Sequence, residues 1–356
     1  MKSKNILSQN KLLLVVLTIL VISISSGCGD TPAPSTISEE IAPAEPVSEV
    51  PDTHLRDADV LVEYPSAAAA ALTVPDNPFP TLSVPTQITK VKDTYFIVDC
   101  YHNQVIYHDN LTDPLYMWQI MTTDMSLGHT LASDGTVYLV DDTENHRVLI
   151  FEEADGKYIN TQVLSDIGVR PHYIVYNEAN QTFYVWSSMT GEMYLLKREE
   201  DTNRVYLAQI LSIPSLNGVY VRSFSITGDR ILFVSGNSTI IEARLADFAI
   251  EKEYPVPPEL AGMIQVFPIE DRYLITISTD VNGDQSFATI LQCDSLDDLA
   301  SGNYTDVYSN FVGGGTPYYL SSFEDRFYLT EHRVPGHSVW SFDFKDGAIT
   351  DVVAVY

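Results

Sequence analysis

The chain has 356 residues, of which 48 are Asp or Glu and only 20 are Lys or Arg, so its formal net charge is -28 at pH 7. A field of that sign repels phosphate backbones, which nucleic-acid-binding proteins neutralise with Lys and Arg, so we expect no binding to DNA or RNA. Such acidity favours cationic partners or divalent ions, although on many proteins it only keeps the surface soluble.

Residues 1–27 have the pattern of an export signal. A positively charged start precedes an apolar run from Leu12 to Ile24, which is too short to span a bilayer because spanning takes about 20 apolar residues. Ser26 and Gly27, directly before Cys28, resemble the lipobox of bacterial lipoproteins, although Ser25 stands where a Leu is usual. The resemblance implies that Cys28 is lipidated and anchors the chain to the extracytoplasmic face of a cell membrane. The alternative is an ordinary secreted protein with a chance cysteine.

Residues 28–85 are predicted to be a linker. They are rich in Pro, Ala, Ser and acidic residues, as in Ala42–Pro46, and such a segment cannot bury enough apolar surface to offset the entropy of ordering it. The stretch from Val60 to Leu72 has the composition of a short helix, but nothing predicts a surface for it to pack on. We therefore assign it to the linker.

From residue 86 onward, a short apolar strand recurs every 42 to 54 residues. The six strands are Tyr95–Val98, Val137–Val140, Phe183–Trp186, Ile231–Val234, Tyr273–Thr276 and Phe327–Thr330. They are apolar at consecutive positions, as expected of strands buried on both faces, and turn residues separate them from further strands. A period of this size predicts an all-β fold over 86–356: a six-bladed β-propeller of four-stranded antiparallel blades. Either packing between blades closes the ring, or residues near Thr81–Val84 add to it.

The first two repeats resemble NHL repeats. Gly135–Asp141 followed by Glu144–Phe151 has the Gly, the apolar strand ending in Asp, and the Asn, Arg, Val and Phe of that repeat, and Tyr95–Asp99 with Asn103 matches nearly as well. Blades three to six keep only the apolar strand. The resemblance implies a six-bladed propeller. We interpret Asp99 and Asp141 as structural carboxylates that accept hydrogen bonds from the backbone of the following turn.

The chain has three cysteines: Cys28, Cys100 and Cys293. The last two fall in the first and fifth repeats, which are not neighbours in a six-membered ring. Because a disulfide needs Cα atoms within about 7 Å, we predict none.

One polar residue per inner strand is expected at the mouth of the central channel. Counting back from each second strand gives Gln87, His129, His172, Arg222, Gln265 and Tyr319. A slip of one residue turns a side chain to the other face of its strand, so Tyr318 can replace Tyr319. Six polar groups converging at one mouth predict a ligand-binding site.

Two metal sites are considered. His129 and His172 lie on adjacent inner strands and could together hold a transition metal. The segment from His129 to Ala132, upstream of Asp141, resembles one ligand blade of the peptidyl-hydroxyglycine lyases, propellers with a histidine-ligated channel zinc. No third histidine is expected at that level, since His332 and His337 are placed in a loop elsewhere and Arg222 would repel a cation, so zinc is disfavoured. In blade five, Asp280, Asn282 and Asp284 alternate as in a short calcium loop, but Gln285 and Leu291 depart from the EF-hand pattern, and a plain polar turn is the default.

These observations favour a monomeric, lipid-anchored binding or scaffold module over an enzyme. Its ligand at the mouth would be a protein, a glycan or a small anionic molecule. The alternatives are a metal-assisted lyase or hydrolase that uses the same mouth, and a structural partner-binding domain with an inert channel.

Overall fold

The computed structural model describes residues 61–63, 75–279 and 284–356. Within this part of the chain, six antiparallel sheets follow one another around a ring, and each forms a blade of four strands that are consecutive in sequence. The sheet of the second blade also includes a fifth strand from earlier in the chain. The predicted fold class is therefore confirmed. The export signal, Cys28 and most of the predicted linker lie outside the described residues.

The strands, in chain order, begin with β1 (Leu61–Glu63) and then form the six blades. Blade one is β2 (Pro85–Val91), β3 (Thr94–Asp99), β4 (Gln104–His108) and β5 (Gln119–Thr122). Blade two is β6 (Leu131–Ser133), β7 (Val137–Asp142), β8 (Arg147–Ala154) and β9 (Lys157–Ser165). Blade three is β10 (Pro171–Asn177), β11 (Thr182–Ser187), β12 (Glu192–Arg198) and β13 (Val205–Ser212).

Blade four is β14 (Val221–Thr227), β15 (Arg230–Ser235), β16 (Thr239–Arg244) and β17 (Ile250–Pro255). Blade five is β18 (Met263–Ile269), β19 (Arg272–Ile277), β20 (Thr289–Cys293) and β21 (Thr305–Asp306), with the helix α1 (Leu296–Ala300) between its last two strands. Blade six is β22 (Thr316–Phe323), β23 (Arg326–His332), β24 (Val339–Lys345) and β25 (Ala348–Ala354). Of the described residues, no helix is long and apolar enough to cross a membrane.

Each pair of neighbouring blades shares one hydrophobic core. Between blades two and three, for example, Leu139 of β7 packs with Ile174 of β10 and Val185 of β11, and all three are fully or almost fully buried. Five further clusters occupy the other five junctions, including the junction between blades six and one. The second strands are apolar at consecutive positions because each of their faces belongs to a different one of these cores.

Strand β1 extends blade two, which the sequence did not predict. Leu61 pairs with Ser165, and Glu63 pairs with Val163, so a segment assigned to the linker forms a fifth strand on the outer edge of β9. Asp76 also forms a bridge with Gln119 beside blade one. Both segments satisfy backbone groups of outer strands that would otherwise be left as open edges.

Contacts between blades six and one close the ring. The Thr330 hydroxyl donates to the carbonyl of Thr86 at 2.8 Å, and the Ser321 hydroxyl donates to the carbonyl of Ile88 at 2.7 Å. Outside these strands, Trp118 Nε1 donates to the Tyr356 hydroxyl at 2.9 Å. Leu82 also packs into the shared core, so blade packing and the segment before blade one both contribute.

Asp99 and Asp141 have structural roles, but with partners other than those expected. Asp99 accepts hydrogen bonds from the backbone N–H groups of Ser83 and Val84, which precede the inner strand of the same blade. Asp141 is fully buried and accepts from the backbone N–H groups of His129 and Thr130. These carboxylates therefore accept backbone N–H groups at the start of an inner strand, and they contact the following turn through its side chains, His102 and Thr143.

Candidate functional site

A cavity of about 270 Å³ opens at the mouth of the channel, where the inner strands begin. Its lining residues come from all six blades or from the loops that lead into them: Val84, Thr86, Cys100, Tyr101, Leu127, His129, Arg170, Tyr220, Arg222, Ser278, Thr279, Gln285, Thr316, Tyr318 and His332. The mouth that the sequence predicted as a ligand site is thus a real concavity with polar and aromatic walls.

A β-bulge at the start of the inner strands determines which residues reach this cavity. In blades three and four, the register shifts between Pro171 and Tyr173 and between Val221 and Ser223, so His172 and Arg222 are the extra residues. The same shift in blade one makes Thr86 the extra residue. A bulge leaves one residue outside the ladder and can redirect its side chain toward a site.

Gln87 and Gln265 do not lie at the mouth, because the same bulge moves the count by one residue. Gln87 Oε1 accepts a hydrogen bond from the backbone N–H of Leu131 in the next blade. Gln265 makes a matching contact, accepting from the N–H of Leu320 and donating to its carbonyl. The two amides therefore join neighbouring inner strands, and Thr86 takes the mouth position in blade one.

In blade six, the register shift of the inner strand lies between Pro317 and Leu320, so it contains two residues, Tyr318 and Tyr319. Tyr318 lines the cavity, and Tyr319 is 1% exposed and lies below it. The Tyr319 hydroxyl donates to the carbonyl of Arg222 at 3.0 Å and is 3.1 Å from His172 Nδ1. Tyr319 thus connects blade six to blades three and four across the channel, and the alternative, Tyr318, is the residue at the mouth.

His129 and His172 stack on each other at the inner end of the cavity. Their ring centroids are 3.8 Å apart, with an interplanar angle of 25°. His172 Nδ1 lies 2.9 Å from the carbonyl of Arg222, which can only accept, so this nitrogen carries the proton. The Nε2 atom of His172 is buried and has no hydrogen-bond partner among the described residues.

Both imidazoles are neutral at physiological pH. Burial, followed by the charges of Arg170 and Arg222, lowers the pKa of His129 to about 3. Burial, followed by neighbouring His129 and Arg222, holds the pKa of His172 well below its usual value. The cavity therefore contains histidines that add polarity and stacking surface but no positive charge.

Positive charge at the cavity comes from Arg170 and Arg222. Their guanidinium carbons lie 5.9 and 5.4 Å from the ring centroid of Tyr220, which both cations face. Arg170 is paired with Glu144 at 2.6 Å. Arg222 donates to the Ser278 hydroxyl at 2.6 Å and forms no ion pair with any described carboxylate. An arginine beside a cavity, without a carboxylate partner among the described residues, has hydrogen-bond donors that an anion can accept.

Arg170 and Tyr220 were missed by the sequence analysis, although a signal for them exists. Each precedes a mouth residue of its own blade by two positions, His172 and Arg222 respectively, and alternate residues of an extended chain face the same side. The same spacing relates the lining residues Val84 to Thr86, Leu127 to His129 and Thr316 to Tyr318.

His332 was also placed incorrectly. It is the last residue of β23 and lines the cavity. Burial, followed by the charge of Arg333, lowers its pKa to about 4, so it too is neutral at physiological pH.

The two stacked histidines do not fit a zinc site. A ligating nitrogen directs its lone pair in the plane of its ring and lies about 2.0–2.1 Å from the metal, whereas the lone pairs of two stacked rings run side by side and do not converge. His129 Nε2 lies 3.8 Å from Cys100 Sγ, and His129 Nδ1 lies 3.0 Å from the Thr143 hydroxyl. Among the described residues, no group of three or more His, Cys, Asp or Glu side chains is placed to hold a metal ion.

The other sites expected from the sequence are only partly described. Asp280 and Asn282 lie outside the described residues, and Asp284 accepts a hydrogen bond from the Ser286 N–H, as in an ordinary polar turn. Cys100 and Cys293 are free and buried, in agreement with the expected lack of a disulfide between them. Burial and the nearby Asp141 and Asp99 raise the pKa of Cys100, so this thiol at the cavity is not an activated nucleophile.

Comparison with known proteins supports the fold and goes no further. No family model and no curated protein matches the chain. Among solved structures, a putative 6-phosphogluconolactonase from Bacteroides fragilis NCTC 9343 is 11% identical, with a TM-score of 0.54, over 75% of this chain and 82% of that chain. A streptogramin B lyase is 13% identical, with a TM-score of 0.52, over 85% and 88% of the two chains. At these identities, the likeness shows a shared propeller architecture only.

Proposed function

We propose that this protein is a lipid-anchored, extracytoplasmic propeller that binds a small anionic group at the mouth of its channel and carries out no chemistry there. The observation that carries the proposal is Arg222, a cavity-lining cation whose partner at 2.6 Å is the neutral Ser278 hydroxyl. A guanidinium offers a planar set of donors that matches a carboxylate, so an anionic ligand would complete its coordination.

The remaining walls support binding over catalysis. The imidazoles of His129 and His172 are neutral, with pKa values far below the physiological range, so neither is tuned to exchange protons near pH 7. Burial keeps the Cys100 thiol protonated. The neighbouring imidazole of His129 has a lowered pKa, so it is too weak a base to activate this thiol. A lyase that depends on a metal lacks its ligand set among the described residues. No second function is therefore proposed.

The test compares Arg222→Gln with a matched control, Arg204→Gln, in which an exposed arginine paired with Glu199 far from the cavity is neutralised. The probes are acetate, benzoate, phosphate and sulfate, and the measurement is the shift in Tm of the soluble chain. A ligand that binds only the folded state raises stability by about 2.7 kcal/mol at 100 times its Kd. We expect at least one anion to stabilise the wild type and the Arg204 variant but not the Arg222 variant. Equal shifts in all three proteins would rule the site out.

The anchor is tested separately. We expect a Cys28→Ser variant, expressed in a bacterium with the complete signal, to move from the membrane fraction to the soluble extracytoplasmic fraction, because a lipid chain supplies about 0.8 kcal/mol per buried CH₂. Fractionation of cells, with the Cys293→Ser variant as the matched control, measures this. Persistence of the Cys28 variant in the membrane fraction would contradict the proposal.

A further inference from the structure

We propose that the anion recognised at the mouth is the carboxyl end of a polypeptide, whose last side chains lie on an apolar rim formed by Tyr101, Val169, Phe287 and Val312. This inference rests on the proposed anion-binding function and names the class of ligand. It comes from the arrangement of exposed apolar residues around the cavity, which a small inorganic anion would not need.

The rim residues are the most unusual feature of this face. Tyr101 is 65% exposed, Val312 57%, Phe287 48% and Val169 42%. They account for half of the exposed large hydrophobic residues among the described positions. Exposed apolar residues that share one face of a protein offer a surface on which another polypeptide can pack.

All four rim residues belong to loops on the mouth side of the ring. Tyr101 follows β3, and Phe287 lies between β19 and β20, so each is in a loop that joins the second and third strands of its blade. Val169 and Val312 precede β10 and β22, in loops that lead into an inner strand. The second strands end and the inner strands begin at the same side of the ring as the cavity. Of the other exposed apolar residues, Tyr116 and Met117 lie between β4 and β5, on the opposite side.

The charge at the cavity matches one carboxylate. Arg170 is balanced by Glu144, and the neighbouring histidines are neutral, which leaves Arg222 as the cavity-lining cation without a carboxylate partner among the described residues. Arg333, which is not a lining residue, donates to Gln285 Oε1 and to the Gly315 carbonyl. A single terminal carboxylate would balance the charge of Arg222, and Arg–carboxylate pairs are commonly bidentate.

The shape of the cavity favours a chain end over an internal segment. Its volume of about 270 Å³ corresponds to about nine waters at roughly 30 Å³ each. The stacked rings of His129 and His172 and the buried Tyr319 close its inner end. A chain terminus enters such a cavity end-on with its last residue, whereas an internal Asp or Glu reaches only as far below the ligand backbone as its one or two methylene groups allow. Capture of a terminal carboxylate is also a recurring mode of peptide recognition.

The experiment uses a defined pool of hexapeptides with free carboxyl ends and the same pool with amidated ends. The full chain without its export signal is immobilised, and the bound peptides are identified and quantified by mass spectrometry; the tightest binder is then measured by fluorescence anisotropy. The variants are Arg222→Gln, the rim pair Phe287→Ser with Val312→Ser, neither of which lines the cavity, and the control Arg204→Gln. Thermal unfolding of each variant verifies that it folds.

We expect amidation to weaken binding by at least about tenfold, which corresponds to 1.4 kcal/mol. The Arg222 variant should lose binding of peptides and small carboxylates alike. The rim variant should bind the peptide at least about tenfold more weakly while binding benzoate as the wild type does. The Arg204 control should bind as the wild type does.

Three results would overturn the inference in distinguishable ways. If small carboxylates bind in an Arg222-dependent manner but amidated peptides bind as tightly as free ones, the anion site exists and the peptide terminus is the wrong ligand. If peptides bind independently of the rim residues, a small free carboxylate is the better ligand. If no anion depends on Arg222, the proposed function fails together with the inference.

Discussion

At the scale of single residues, the cavity is defined by a contrast between neutral and charged groups that lie within a few ångströms of each other. His129 and His172 are held neutral by burial and by the arginines beside them. Among the described side chains, the Arg222 guanidinium contacts the Ser278 hydroxyl and the Tyr220 ring. The positive charge is therefore concentrated on one guanidinium, and the imidazoles shape the pocket around it.

The lowered pKa of His129 predicts a measurable pH dependence of stability. In the unfolded chain this imidazole takes up a proton below its usual pKa of 6.5, but in the folded protein it does so only near pH 3. Between these values the unfolded state binds more protons, so the free energy of unfolding falls as pH falls, at about 1.4 kcal/mol per pH unit for one group.

We therefore expect the stability of wild type to fall more steeply between pH 6 and pH 4 than that of a His129→Gln variant. Urea unfolding at each pH measures the difference. Asp141 titrates in the same range, since burial raises its pKa to about 6, and because it is present in both proteins, comparing the variant with wild type isolates the histidine. Parallel pH profiles would show that His129 is not held neutral.

At the scale of structural elements, the end of the second strand shows how the blades have diverged. Asp99 and Asp141 each fix the backbone that enters the inner strand. In blade three the equivalent residue, Ser187, makes the same kind of contact with Val169 through one hydroxyl. In blade six Glu331 accepts from side chains instead, the Tyr308 hydroxyl and Trp340 Nε1. The blades therefore share one strand pattern, but they differ in the hydrogen bonds made by the residue at the end of the second strand.

We expect Asp141→Asn to destabilise the protein by about 2–4 kcal/mol. Both carboxylate oxygens of Asp141 now accept hydrogen bonds, whereas an amide has a single acceptor oxygen, so the substitution leaves buried N–H groups unpaired. Urea unfolding with Asp155→Asn, an exposed turn residue in blade two, as the control measures the effect. A loss no larger than that of the control would contradict the assigned role.

The positions of the strands could be predicted from the sequence. Which residue of each inner strand faces the cavity at the channel mouth could not. Each predicted second strand lies inside an observed one, since burial on both faces leaves a continuous apolar run. Gln87 and Gln265 were misplaced because a bulge adds one residue at the start of the inner strand, and no residue type in the sequence reports where that insertion occurs. The sequence did place three residues close together. His129 and Arg222 line the cavity, and His172 stacks on His129 directly behind it.

At the scale of the whole molecule, the junction between blades six and one differs from the other five because its partners are far apart in sequence. Tyr356 packs edge-to-face on Trp118, accepts its indole N–H, and lies within hydrogen-bonding distance of the carbonyls of Leu111 and Asp113. Among the described strands, none is exchanged between the two blades. Side-chain contacts therefore hold these blades together, whereas backbone pairing holds the strands together within a blade.

We expect Tyr356→Phe to lower the free energy of unfolding by about 0.5–1.5 kcal/mol, because the Leu111 carbonyl loses the hydroxyl that donates to it. The Trp118 indole N–H keeps only its longer contact, at 3.3 Å, with the Asp113 carbonyl. Chemical unfolding with Tyr116→Phe, an exposed tyrosine of blade one, as the control provides the measurement. The same stability for both variants would show that the junction does not depend on this hydroxyl.

The long separation across this junction also has a kinetic consequence. The bond from Thr330 to Thr86 joins residues that are 244 positions apart, and the one from Ser321 to Ile88 joins residues 233 apart. Contacts of such high sequence separation form late, after the entropy of closing the loop has been overcome by local blade formation. Substitutions at this junction should therefore speed unfolding while leaving the rate of refolding nearly unchanged, so the closing junction sets how long the folded ring persists.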